Sequence, residues 1–148
     1  MIDPFGRRID YLRVSVTDRC NLRCVYCMPA EGVPLVSHDD ILRYEEIAEV
    51  VREAADLGVT KVRLTGGEPL TRRNIESLIV LLARIDGVRD LAMTTNGTLL
   101  APRAATLKAA GLMRVNVSLD SVDPDRYAAI TSGDCAATMD WSISCRMR

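Results

Sequence analysis

Four times along this chain a short apolar or β-branched run gives way to a polar loop and then to a segment of helical periodicity. The runs at 11–16 (YLRVSV), 61–65 (KVRLT), 90–94 (DLAMT) and 113–120 (MRVNVSLD) read as strands. Segment 41–58 places Ile47, Val50, Val51, Ala54 and Leu57 on one helical face, with Gly58 suited to the left-handed stop. Segment 74–87 turns Ile75, Leu78, Ile79, Leu82 and Ile85 inward. Segment 102–111 has Pro102 in its first turn and Gly111 past its end, and 123–130 opens with Asp123 as N-cap and Pro124 at the first position. Strands alternating with helices through short loops run parallel, joined by right-handed crossovers, so the chain is α/β. In such folds chemistry collects at the carboxyl ends of the strands, where TDRCN, TGGEP, TTNG and SLD all fall.

The 148 residues suit about one domain, and 19 Lys and Arg against 20 Asp and Glu leave no field for a long nucleic-acid or anionic-membrane surface. A small partner is the better expectation. Arg7-Arg8 and Arg72-Arg73 are local exceptions able to hold a phosphate, although Arg72-Arg73 reads most simply as a solvated helix start. The amino terminus shows no apolar export signal and no run reaches the ~18 residues of a membrane span, which points to the cytoplasm. In that reducing compartment clustered cysteines read as metal or redox sites before disulfides.

Cys20, Cys24 and Cys27 stand in the pattern C-x3-C-x2-C within a polar loop that also holds Asp18, Arg19, Asn21 and Arg23. A structural zinc site usually closes four ligands, and neither Cys135 nor Cys145 forms a second C-x2-C pair. Iron–sulfur electron carriers also use four cysteines, so three leave one iron open to a substrate or cofactor. The aromatic Tyr26 lies beside that position. His38, the single histidine, reads as a solvated loop residue, and Glu68 and Asp120 as polar loop ends that bond to backbone.

The three-cysteine spacing with an aromatic before the last cysteine resembles the signature of radical S-adenosylmethionine (SAM) enzymes, and TGGEP resembles their glycine-rich segment. Within that superfamily, FGRRIDYLRVSVTDRCNLRCVYCMP, VRLTGGEPLTRR, TTNGTLL and RVNVSLDSVDPDRYAAIT resemble the GTP cyclases of molybdenum-cofactor biosynthesis over residues 5–131. The resemblance implies a lyase and a (β/α) TIM-type barrel, here a partial one of about four units. It implies a 4Fe-4S cluster on Cys20, Cys24 and Cys27, with SAM on the open iron and against Tyr26, Gly67 and Ser118. It further implies GTP held by Arg13, Arg63 and Thr94, an electron donor such as flavodoxin or ferredoxin, and a homodimer.

Residues 1–131 would form the core, whereas 132–148 depart from the family pattern. The cysteines of the family's second cluster, in a carboxyl-terminal domain, have no counterpart. A full barrel takes about 200 residues or more, so the expectation is a truncated, marginally stable chain with an unpaired strand edge, weak cluster and SAM binding and no GTP cyclisation. The alternative reading is a non-catalytic iron–sulfur or zinc-binding module.

Overall fold

In the computed structural model, which describes residues 2–29 and 31–132, four parallel strands lie side by side in chain order. They are β1 (Tyr11–Ser15), β2 (Lys61–Thr65), β3 (Asp90–Thr95) and β4 (Arg114–Val117), and the helices α1 (Tyr44–Asp56), α2 (Ile75–Ala83), α3 (Ala104–Ala110) and α4 (Pro124–Thr131) follow them in turn. The α/β reading holds, and the sheet is open, with β1 and β4 as its edges. Residues from 133 onward, including Cys135 and Cys145, lie outside the described residues. Among the described residues no helix is long and apolar enough to cross a membrane.

Strand alternation sorts the sheet into two unlike faces. Leu12, Val14, Val16, Val62, Leu64, Leu91 and Met93 join one core with Ile47, Val51, Ile75, Leu78, Ile79, Leu82 and Leu107 from the helices. Each such side chain contributes about 1.5–3 kcal/mol when fully buried. The opposite face carries Tyr11, Arg13 and Ser15 from β1, Lys61, Arg63 and Thr65 from β2, Ala92 and Thr94 from β3, and Arg114 and Asn116 from β4. Register sets Arg13 beside Arg63, Arg63 beside Ala92, and Thr94 beside Asn116. A parallel sheet normally has both faces covered by apolar layers, and the polar residues on this face depart from that pattern.

Several predicted details shift. The first helix starts at Tyr44 rather than 41, and its buried residues are Ile47, Ala48 and Val51. Val50 and Leu57, expected inside, are 55% and 62% exposed. The buried stripe also takes in Tyr44 and Ala55, which moves its centre round the helix and leaves Val50 and Leu57 about 100° or more off it. The fourth strand is only Arg114–Val117, and Pro102 sits in a 3-10 turn, Ala101–Arg103, ahead of α3. Asp123 does cap α4, its side chain accepting from the Arg126 amide, and Gly111 takes the left-handed C-cap with φ 110°.

Arg72, expected in solvent, is a strut. Its guanidinium donates to the carbonyls of Val16 (2.7 Å) and Leu42 (2.6 Å) and stacks 4.3 Å from the Tyr44 ring centroid. A single arginine thus ties the end of β1 to the approach to α1. Arg73 stays exposed, as expected.

A second, small apolar cluster supports the cysteine loop from below. Leu22 and the fully buried Tyr127 of α4 pack with Cys20, Cys24 and Leu119. Two loop amides donate to the last turn of α4, Arg23 N to Thr131 O and Val25 N to Ile130 O, both at 2.9 Å. Removing a large buried aromatic costs about 3–5 kcal/mol. Tyr127→Ala is therefore expected to speed hydrogen exchange at the Arg23 and Val25 amides while those of β2 and β3 keep their protection; equal acceleration throughout would show that α4 gives the loop no selective support.

Candidate functional site

The cysteine loop begins as β1 runs out. Val16 N still donates to Thr65 O (2.9 Å), and beyond it the chain turns across the carboxyl edge of the sheet. A tight turn follows, in which Cys24 O accepts from the amides of Cys27 (2.9 Å) and Met28 (3.0 Å). Cys20, Cys24 and Cys27 carry free thiols, the first two half-buried and the third exposed. Burial pushes the Cys24 thiol pKa up, against the opposing effect of a hydrogen bond with Tyr26.

Among the described residues, no three Cys, His, Asp or Glu side chains converge on a single-ion position. A tetrahedral zinc needs its sulfurs about 2.3 Å from one point. A polynuclear iron–sulfur group takes one thiolate per iron and accepts sulfurs spread over a loop. The donor set, three free thiols within one loop, fits that group.

The TGGEP turn after β2 is strapped to this loop backbone to backbone. Gly67 N donates to Thr17 O (2.7 Å) and Glu68 N to Arg19 O (2.8 Å). The approach leaves no room for side chains: a Cβ on Gly66 would lie 2.4 Å from Thr17 O, and one on Gly67 2.3 Å from Arg19 O. Gly66 also adopts φ 145°, which side chains rarely allow. The resemblance explains the glycine-rich turn by a ligand, SAM at Gly67. The chain itself supplies a further reason for both, because the turn must touch the cysteine loop.

Glu68 completes the junction. It is 1% exposed, and its Oε1 accepts from Leu70 N (3.0 Å) and Thr95 Oγ1 (2.7 Å) while Oε2 accepts from Asn96 N (2.7 Å). One carboxyl group thus joins the ends of β2 and β3. The expected backbone bonding of Glu68 is present, but its reach to the next strand was not legible, since nothing local marks the partner 28 residues on.

The remaining predicted site residues fall in two groups. At the carboxyl edge, the Tyr26 hydroxyl donates to Asp120 (2.9 Å to Oδ1, 3.1 Å to Oδ2), so Asp120 bonds to a side chain rather than to backbone. The Tyr26 ring is largely exposed, but desolvation at its hydroxyl, then the Asp120 bond, drives the hydroxyl pKa well above its usual value. Ser118 is exposed at the end of β4, its amide donating to Thr95 O (2.9 Å). Arg13, Arg63 and Thr94 lie on the polar sheet face instead. The Arg63 guanidinium sits 5.5 Å from the Tyr11 ring centroid, and its buried Nε has no hydrogen-bond partner among the described residues.

Replacing Glu68 tests the junction. In Glu68→Gln the oxygen stays with the two donors of Leu70 and Thr95, and the new NH2 faces the Asn96 N–H. A buried donor left unsatisfied costs about 1–3 kcal/mol. Denaturant unfolding should show a loss of that size for Glu68→Gln and a larger one for Glu68→Ala; two wild-type midpoints would remove the junction from the account.

The family model for the radical SAM superfamily matches residues 14–139. The GTP 3',8-cyclase of Pelotomaculum thermopropionicum is 61% identical over 133 residues, covering 90% of this chain and 41% of that protein. The GTP 3',8-cyclase of Petrotoga mobilis is 59% identical over 131 residues, covering 88% and 41%. The chain therefore spans about two fifths of the length of these curated relatives. Among solved structures, Streptococcus suis SuiB bound to S-adenosylmethionine superposes with TM-score 0.67 at 21% identity, over 84% of this chain and 27% of that one. The AdoMet-bound structure of anSMEcpe gives TM-score 0.61 at 23% identity, over 93% and 38%. With the family model covering most of the chain, this protein belongs to the radical SAM superfamily.

Proposed function

We propose that the chain carries the SAM-cleaving half of a GTP 3',8-cyclase, the lyase that opens molybdenum-cofactor biosynthesis. The observation that carries this reading is the three-thiol loop at the carboxyl end of β1, strapped by TGGEP, with Cys20, Cys24 and Cys27 as free thiols among the described residues. The names of the similar proteins support the choice of GTP as substrate. When bound, a 4Fe-4S cluster supplies a low-potential electron to SAM, whose cleavage gives the 5'-deoxyadenosyl radical.

The chain's own residues then have separate tasks. Cys20, Cys24 and Cys27 would hold the cluster, and SAM would bind it where the chain supplies no thiolate. Tyr26, fixed through Asp120, presents its ring beside that position, with Gly67 and Ser118 lining the same edge for SAM. Arg13 and Arg63, adjacent in register, place two guanidinium groups on one face of the sheet. Such a pair attracts an anion and makes paired, charge-assisted hydrogen bonds to phosphate oxygens or a purine edge, and Thr94 adds a hydroxyl one strand away. A flavodoxin or ferredoxin as reductant and a homodimer complete the reading.

Anaerobic reconstitution tests it. With iron, sulfide, dithionite and SAM the protein should release 5'-deoxyadenosine, and Cys24→Ala should abolish release. Arg13→Ala or Arg63→Ala should weaken GTP binding about 10–100-fold by calorimetry, the loss expected for a charged hydrogen-bonding group of about 1.4–3 kcal/mol, with SAM cleavage retained. Stoichiometric zinc without inorganic sulfide would replace this reading by the metal-binding module.

A further inference from the structure

Asn96, in the loop after β3, is aimed at a sulfur. Its backbone N–H donates to Glu68 Oε2 (2.7 Å), its Oδ1 accepts from Thr98 N (3.1 Å) and Thr98 Oγ1 (2.7 Å), and its Nδ2 donates to Asn21 Oδ1 (2.9 Å). The Thr98 amide can only donate, so it identifies the acceptor side of the Asn96 side chain and rules out the flipped arrangement. The donor side must therefore face the cysteine loop, where Nδ2 lies 3.9 Å from Cys20 Sγ. Asn21 Nδ2 in turn donates to Thr98 Oγ1 (2.7 Å), closing a ring of three side chains around the amide. The Leu22 amide donates to the same sulfur at 3.4 Å.

Three hydrogen bonds thus hold the side-chain amide, two more brace the residues around it, and its remaining N–H points at a thiol. Ordinary loop stability does not call for that, because the Asn96 backbone is already held by Glu68 and the two loops are already joined through Asn21. The consequence is electrostatic. Hydrogen bonds to ligating sulfurs are among the determinants of an iron–sulfur potential, since the N–H dipole favours the state with more negative charge on the cluster.

We propose that Asn96 is a tuning residue: its side-chain amide, held by Thr98 and Asn21, donates to Cys20 Sγ and raises the reduction potential of the cluster that Cys20 ligates. The inference rests on the cluster reading given above and adds to it a residue outside the SAM and GTP contacts proposed there. Loss of the donor makes the cluster harder to reduce. Replacing it with a carboxylate, which still accepts from Thr98 but turns an anion toward the sulfur, makes reduction harder again.

The test is an EPR-monitored redox titration of the reconstituted full chain without SAM. Asn96→Ala should lower the midpoint potential relative to wild type, and Asn96→Asp should lower it further. A cluster-loaded Asn96→Ala with the wild-type midpoint overturns the inference and leaves the cluster reading standing. A second measurement does not need Asn96→Ala to fold: protein grown with 15N-asparagine should show a 15N hyperfine coupling to the reduced cluster by pulsed EPR that persists in Asn21→Ser, which removes the labelled residue next to Cys20. Absence of that coupling overturns the inference even if Asn96→Ala fails to assemble a cluster. Wild-type protein that takes up no cluster at all fails the underlying reading, and this one with it.

Discussion

The contact on which the site depends is the meeting of two backbones. The TGGEP turn and the start of the cysteine loop approach so closely that neither Gly66 nor Gly67 has space for a methyl group, and two amide hydrogen bonds hold them there. Two parallel strands, β1 and β2, would by themselves fix only the origins of their loops. The strap carries their alignment past the end of the sheet, so the loop that bears the thiols leaves the fold in a set direction. Glu68 extends the same alignment to β3, and Tyr127 with the last turn of α4 supports the loop from the other side.

That construction divides the labour of the molecule. The helix-covered face of the sheet is apolar and supplies the stability, whereas the opposite face and the carboxyl edge hold the arginines, the thiols and short polar side chains. Few of the latter could contribute to a core. Their burial costs free energy unless each polar atom finds a partner, and most do so through bonds that cross from one loop to the next. Arg63 Nε is an exception in the described residues, and its position on the polar face beside Arg13 makes it a natural contact for an anionic ligand.

Much of this was legible in the amino-acid sequence where the signal is local. Strand and helix periods announce themselves within a few residues, which is why the α/β alternation, the Asp123 cap and the Gly111 stop all appear where expected. The three-cysteine spacing is equally local. What escaped are contacts between distant segments: Arg72 reaching Val16 and Leu42, Glu68 reaching Asn96, and Asn96 reaching Cys20. Val50 and Leu57 were misjudged because helical periodicity gives a stripe but not its centre, which depends on what the helix packs against. The glycines of TGGEP stood out as a motif, but their clash with the cysteine loop exists only once two loops are folded together.

Three thiolates from one strapped loop are proposed to hold a cubane whose fourth iron has no protein ligand. Mössbauer spectra of the 57Fe-reconstituted chain, recorded with and without SAM, test this arrangement. SAM should shift the signal of one iron in four, to values of higher coordination, and leave the other three unchanged. Four irons that respond alike, or not at all, would overturn it.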